Sequence, residues 1–459
     1  MKRRLFMGAL LALGATGARG ETPRPARRRV PPPGVLLARA RLGEARLGWA
    51  VVDGADALIE EHGAGDPMPP ASTLKTVTAL YALDRLGGAH RFVTRVLRSD
   101  DTLVLAGGGD PLLDSDRLAR LADEAARAAG DWRPARLAVW GGALPRVDQV
   151  APGQAAQLAY NPTLSGIMLN HNRVRLGWRC DSTCDLTLTA AGTRHTPRAF
   201  GISAALGPGA GWSHGTGPGG AEHWGVPRRA LGRSGERWLP VRAPELYAGD
   251  VFQTLCRAAG LPIPAVEIAM AEPTGAVLAE SASLPLRDIL RGMLKHSTNL
   301  TAEAVGLAAS GADDLPASAA MMRDWVAAQG GGGAVFADHS GLNAGSRIAP
   351  LVLARLLAPA APRLRPLLNA DPVGPVGLEV DAKTGTLNFV SNLAGYATRP
   401  DGTGLSFACM IGDEARRQAS AGTELPDGVI GWTDRARSLQ AALLMGLADE
   451  PPRPLPPEI

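Results

Sequence analysis

The stretch "ASTLKTVTALYAL", Ala71–Leu83, places a lysine three residues after a serine in a chain that almost never uses lysine. Lysine and arginine together number 48, yet lysine occurs only at Lys2, Lys75, Lys295 and Lys383. Arginine keeps its proton in a protein, whereas a desolvated lysine amine can become a neutral base. The stretch reads as a helix from Ser72 to about Leu86. The Pro-rich bend "DPMPPAS" precedes it, Gly87 and Gly88 end it, and Leu74, Val77 and Leu80/Tyr81 supply a buried stripe. Ser72 and Lys75 then share one face, beside the unpaired N–H groups and positive dipole end of the helix N-terminus. A neutral amine there can take the serine proton and leave an acyl-transfer nucleophile, which arginine could not do. Without the lysine, Ser72 would read equally well as an N-cap.

The other two lysines outside the leader also sit in short hydroxyl-bearing strings, "KHSTN" (295–299) and "KTGT" (383–386). Ser297 can relay a proton and the Asn299 amide can align a peptide carbonyl. Lys383, Thr384 and Thr386 flank Gly385 on an expected strand, where a substrate can lie along the edge while its carboxylate is bound. Alone, the first string is a helix cap and the second a strand end. In the order S-x-x-K, S-x-N, K-T-G they form a specific set.

That set resembles the penicilloyl-serine transferases, which comprise penicillin-binding proteins and serine β-lactamases. Its flanks include "GGGDPLL", "NHNRVRL", "ELYAGDVF", "HSTNLTAEAVG", "SGLNAGSRIAP" and "KTGTLNFVSNLAGY". These resemble the DacB-type D-alanyl-D-alanine carboxypeptidases/endopeptidases, the low-molecular-mass class C penicillin-binding proteins. The resemblance implies an α+β multidomain fold, with a transpeptidase/β-lactamase-like antiparallel sheet flanked by helices. One or two smaller domains are inserted between the S-x-x-K and S-x-N motifs. It implies an acyl-enzyme on Ser72, with Lys75 as base, Ser297 as proton relay and Asn299 orienting the peptide. Lys383 and Thr384 would bind the terminal carboxylate beside Gly385, and the N–H groups of Ser72 and Thr386 would hold the oxyanion. Its partners would be peptidoglycan stem peptides and cross-links, with β-lactams as covalent inhibitors and no cofactor or metal. A serine β-lactamase of the same superfamily and a non-catalytic wall-binding relative are the alternatives; the long insertion disfavours the first and the intact motif set the second.

The 222 residues from Lys75 to Ser297 leave room for whole domains. The expected organisation is a signal peptide at 1–20, a discontinuous transpeptidase-like domain at 21–95 plus 268–450, and an inserted domain at 96–175 plus 236–267. A nested glycine-rich insertion fills 176–235, and a Pro-rich tail ends the chain at 451–459. Strands near both ends suggest one sheet built from distant segments. The inserted "LAVWGGALPRV" lacks the aspartate often found there in the resembled family, which leaves open any specificity for a substrate amino group.

Lys2, Arg3 and Arg4 before the apolar run Leu5–Leu13, with Ala18 and Gly20 at cleavage spacing, read as an export signal of the general or twin-arginine kind. The run is too short to span a bilayer, which takes roughly 20 residues. The expected location is therefore periplasmic, without a transmembrane anchor. Removing Lys2, Arg3, Arg4 and Arg19 lowers the basic count from 48 to 44, equal to the 44 acidic residues. A neutral surface argues against nucleic-acid or anionic-membrane binding. Of the four cysteines, Cys180 and Cys184 are close enough to close a surface loop in an oxidising compartment, while Cys256 and Cys409 lie in apolar patterns as buried singletons.

Overall fold

The computed structural model describes residues 30–374 and 376–448. The expected signal peptide and the Pro-rich tail lie outside the described residues. The central element is a six-stranded antiparallel sheet. In spatial order its strands are Asn369–Ala370, Glu379–Leu387, Val390–Thr398, Gly404–Gly412, Arg46–Asp53 and Leu58–His62. The pairing of Arg46–Asp53 with Gly404–Gly412, with Trp49 opposite Cys409, joins an early and a late segment of the chain.

Side chains on these strands alternate between two cores, as a period of two requires. Trp49, Val51, Leu393, Phe407 and Cys409 pack on the C-terminal helix Val429–Leu447 through Trp432, Leu439 and Leu443. Ala50, Val52, Ala394, Ala408 and Met410 face the opposite way, onto helices carrying Leu74, Val77, Leu290, Met293, Val305 and Leu353. Val390–Thr398 is covered on both faces and is buried from Val390 to Ala397. Sequence reads the Ser72 helix as amphipathic, but the structure buries every residue from Leu74 to Ala82. The reason is its position beneath the helices Leu286–His296, Asn299–Ser310 and Leu315–Ala328. Its threonines survive burial by bonding backbone carbonyls: Thr76 donates to Thr73 O at 2.8 Å and Thr78 to His339 O at 2.6 Å.

The residues between the serine and asparagine strings form further sheets. A mixed five-stranded sheet has the order Val266–Ile268, Arg136–Trp140, Thr102–Ala106, Val93–Ser99 and Ala276–Ala282. Its last strand lies beyond residue 268, where sequence places the return to the main domain. The glycine-rich stretch supplies two three-stranded sheets. One is Ser234–Pro240, Arg173–Cys180 and Cys184–Thr189; the other is Ile202–Gly207, Glu222–Pro227 and Ser213–Thr216. Leu188, Ile202, Trp224 and Val226 from these sheets share one apolar core with Val96, Leu105 and Val139 of the five-stranded sheet.

Cys180 and Cys184 face one another across paired strands and are disulfide-bonded. Cys256 and Cys409 are buried and free. Alkylation of the protein under denaturing conditions without reduction should therefore modify two thiols, and intact mass should show it. Four modified thiols would overturn the pairing.

Candidate active site

Ser72 lies in a short 3-10 turn, Ala71–Thr73, that leads into the helix Leu74–Leu86. Ala71 sits at φ +46°, a left-handed conformation that strains a residue with a side chain. Three contacts hold the turn in place. Asn392, on the central sheet, donates from Nδ2 to Pro69 O and Pro70 O, both at 2.8 Å. Gly341, at φ +75°, abuts the Ala71 carbonyl so closely that a Cβ there would stand 1.8 Å from the oxygen. Gly385 presses from the KTGT strand, where a Cβ would lie 3.0 Å from Pro70 O and 3.1 Å from Ser72 N. Strain at Ala71, beside the serine, is thus fixed by the sheet floor and by two glycines.

Lys75 is completely buried. Its Nζ contacts three acceptors: Ser72 Oγ at 2.9 Å, Asn299 Oδ1 at 2.8 Å and Ser340 O at 2.8 Å. Two of these, the amide oxygen and the backbone carbonyl, can only accept. A neutral amine would give them its two N–H groups and leave its lone pair for the Ser72 hydroxyl. Burial, and after it the charge of Lys383, lowers the Lys75 pKa to about 7, against the opposing pull of Asp338. Lys383 is also buried, and desolvation lowers its pKa to about 8. Its Nζ donates to Thr384 O at 2.7 Å.

Structure and sequence agree on the neighbourhood but not on every contact. Asn299 begins the helix Asn299–Ser310, and its Nδ2 donates to Tyr160 O, 3.0 Å away in the inserted segment. One of its two amide hydrogens is thereby occupied and one is left for a substrate carbonyl. Ser297 caps the preceding helix in a left-handed conformation, φ +56° and ψ +39°. Among the described residues its hydroxyl makes no side-chain hydrogen bond, either to Ser72 or to Lys75. Asn369–Ala370 pairs only with Ala382 and Asp381, so Lys383 to Leu387 has no strand partner on that edge among the described residues. Thr386 is exposed on this free edge. Among the described residues no cluster of three or more His, Cys, Asp or Glu side chains is arranged to hold a metal ion.

A family model for the D-Ala-D-Ala carboxypeptidase 3 (S13) family matches residues 35–176 and 225–436. The chain belongs to that family. The matched residues include all three lysine strings, and the gap falls in the glycine-rich stretch. Among S13-like relatives, a D-alanyl-D-alanine carboxypeptidase of Actinomadura sp. is 27% identical over 433 residues, covering 80% of this chain and 78% of that protein. A carboxypeptidase of Mycobacterium tuberculosis is 28% identical over 389 residues, covering 76% of this chain and 72% of its own. The solved penicillin binding protein 4 of Haemophilus influenzae shares the fold, with a TM-score of 0.73 at 19% identity, over 90% of this chain and 99% of its own.

Sequence reasoning missed the residues behind the lysine of this S13 enzyme: Glu303, Asp338, His339 and Ser340, all buried. One signal was available. Glu303 is the lone charge in "NLTAEAVGLAAS", a helix buried from Leu300 to Leu307. Asn392 gave no such signal, because its contact to Pro69 and Pro70 spans more than 300 residues.

The pinned turn makes a stability prediction. Gly341→Ala should destabilise the protein by about 2–4 kcal/mol in urea denaturation, combining a backbone clash with positive φ. Gly345→Ala, whose Cβ would meet only side-chain atoms, Ala337 Cβ at 3.3 Å and Asn343 Oδ1 at 3.4 Å, should be mild by comparison. Equal effects would show that the Ala71 contact is not a constraint.

Proposed function

We propose that this chain acts as a serine-type D-Ala-D-Ala carboxypeptidase, D,D-endopeptidase or both, on peptidoglycan stem peptides in the periplasm, through an acyl-enzyme on Ser72. The observation that carries this reading is the Lys75 amine, fully buried and 2.9 Å from Ser72 Oγ, with two pure acceptors on its other sides. Lys75 takes the Ser72 proton as Oγ bonds the penultimate carbonyl carbon. The oxyanion is met by the backbone N–H groups of Ser72 and Thr386. The C–N bond breaks, and the leaving amine takes the proton from Lys75 through the Ser297 hydroxyl. Water then hydrolyses the ester. The free amide hydrogen of Asn299 aligns a substrate carbonyl, and Lys383 with Thr384 binds the terminal carboxylate.

Support for the location comes from the N-terminal sequence pattern and the joined Cys180 and Cys184, since disulfides persist in oxidising compartments. Support for β-lactam inhibition comes from the Haemophilus relative, whose fold is also solved in complex with a β-lactam. The carboxylate of a penicillin would occupy the place of the terminal D-alanine carboxylate.

Digestion of purified monomeric and cross-linked muropeptides, read by product mass, tests the reading. Loss of terminal D-alanine or cleavage of cross-links is the expected result, and no product from either would overturn it. A penicillin acyl-enzyme that clears within seconds would instead mark a β-lactamase.

Ser72→Ala should abolish cleavage and penicillin labelling. Lys75→Arg should be nearly as damaging, because it keeps the charge and loses the base. Retention of more than about a tenth of wild-type acylation, ~1.4 kcal/mol of barrier, would contradict the role of Lys75.

The same assignment fixes the pH dependence. Lys75 must be neutral, so acylation should fall as pH drops below about 7; Lys383 must be charged, so it should fall again as pH rises above about 8. The two amines interact, so the limbs of kcat/KM belong to the pair. A rate for penicillin that still climbs beyond a pH of about 9 would remove Lys383 from carboxylate binding.

A further inference from the structure

Glu303 lies one helical turn after Asn299, so the two side chains share a face. Asn299 bonds Lys75, and Glu303 is completely buried beside the same network. Its Oε2 accepts from His339 N at 2.9 Å, while its Oε1 is buried with no hydrogen-bond partner among the described residues. The neighbouring Asp338 is differently placed. It accepts from Ser340 Oγ at 3.1 Å, Ser346 Oγ at 2.7 Å and Asn343 N at 2.8 Å. One short segment ties these groups together: the N–H of His339 meets Glu303, and the carbonyl of Ser340 meets Lys75.

The charged groups acting on Glu303 are Asp338 and Lys75. The third titratable neighbour, His339, is kept neutral by burial, which lowers its pKa to about 3. Its Nε2 bonds Ser318 Oγ at 2.7 Å, and its ring rests on Gly306. Two carboxylates sharing a dry site repel, so one of them keeps a proton. Asp338 accepts from three donors, whereas Glu303 accepts from the His339 N–H and shares the Ser340 hydroxyl, which bonds Asp338 at 3.1 Å, so Glu303 is the more poorly solvated of the two. Burial, reinforced by Asp338, pushes the Glu303 carboxyl up in the same direction.

We propose that Glu303 carries a proton in the resting enzyme, as a neutral acid that shapes the Lys75 pocket without giving Lys75 a counter-ion. The inference rests on the reading of Lys75 as the base. Moving that one proton from Glu303 to Lys75 would give a carboxylate and an ammonium, and the ammonium cannot accept from Ser72. Holding the proton on Glu303 keeps the amine free. Glu303 is thus a positioning residue, acting on the serine only through Lys75.

Infrared spectroscopy of the full chain at neutral pH tests this directly. A buried carboxylic acid has a C=O band distinct from carboxylates. The band should shift when glutamate alone is carbon-13 labelled, and it should vanish in Glu303→Gln. Gln keeps an oxygen for the His339 N–H. Glu303→Gln should acylate with penicillin within about threefold of wild type, with its acid limb moved by less than about half a pH unit. Absence of a glutamate-dependent acid band would overturn the proposal. So would an acid limb falling by more than about one pH unit in Glu303→Gln, because it would mean that Lys75 had felt a carboxylate. If Glu303→Gln fails to fold, the labelled wild-type band decides. Failure of the base reading has a separate signature, namely an active Lys75→Arg.

Discussion

A lysine with no exposure at all is the constraint around which this molecule is arranged. Removing an ammonium from water is expensive, and the usual outcome is a paired charge or a lost proton. Here every contact of Nζ is to an oxygen, and none of the three is a carboxylate. The remainder of the core keeps that geometry rigid. The Ser72 helix is buried from Leu74 to Ala82, and its two polar threonines bond backbone carbonyls instead of water. A helix enclosed this completely cannot tilt to relieve the lysine, and burial lowers the pKa of the amine instead.

The three lysine strings meet because an early strand and a late strand of the chain pair. Arg46–Asp53 pairs with Gly404–Gly412, which carries the KTGT hairpin on its other side. The serine turn, a short distance along the chain from the first strand, comes to rest against Gly385 and Asn392. The inserted residues reach the same place from outside. Val150, Ala151 and Leu342 form a small apolar cluster, Asn343 Nδ2 donates to Val150 O at 3.2 Å, and Tyr160 O takes one hydrogen of Asn299. The insertion is therefore part of the wall of the site.

How much of this is legible in the sequence follows from what each feature depends on. The motifs were legible because their chemistry restricts residue type, so lysine stands out where arginine is the rule. The strands near both ends of the sequence were legible because alternation is local. Glu303 and Asp338 were not, since burial of a carboxylate depends on which distant segment covers it. Nor was the strain at Ala71, because nothing near Ala71 in sequence announces Asn392 or Gly341. The internal fold of the glycine-rich stretch was not legible for a related reason. Its small sheets gain their apolar cover from the neighbouring sheet, so their own sequence shows little periodicity.

The strand edge beyond Ala382, unpartnered among the described residues, ties the physics of the sheet to function. Exposed strand edges invite pairing with other chains, and folded proteins normally blunt them. This one is short, and it ends the ladder where Lys383 begins. Gly385 lies against the serine turn, so a chain added along the edge would pass directly over Ser72. On the proposed reading, the main-chain bonds of such a strand would set the register. Lys383 would set the end point, because a charge desolvated to this degree favours an anion that can replace its lost water. A substrate ending in a carboxylate one residue past the reacting carbonyl satisfies both conditions together. A longer chain satisfies the second only if it carries a carboxylate of its own at that place, as the diaminopimelate part of a cross-link can. Carboxypeptidase and endopeptidase action then differ in the source of one anion, while the serine, the lysine and the strand edge remain the same.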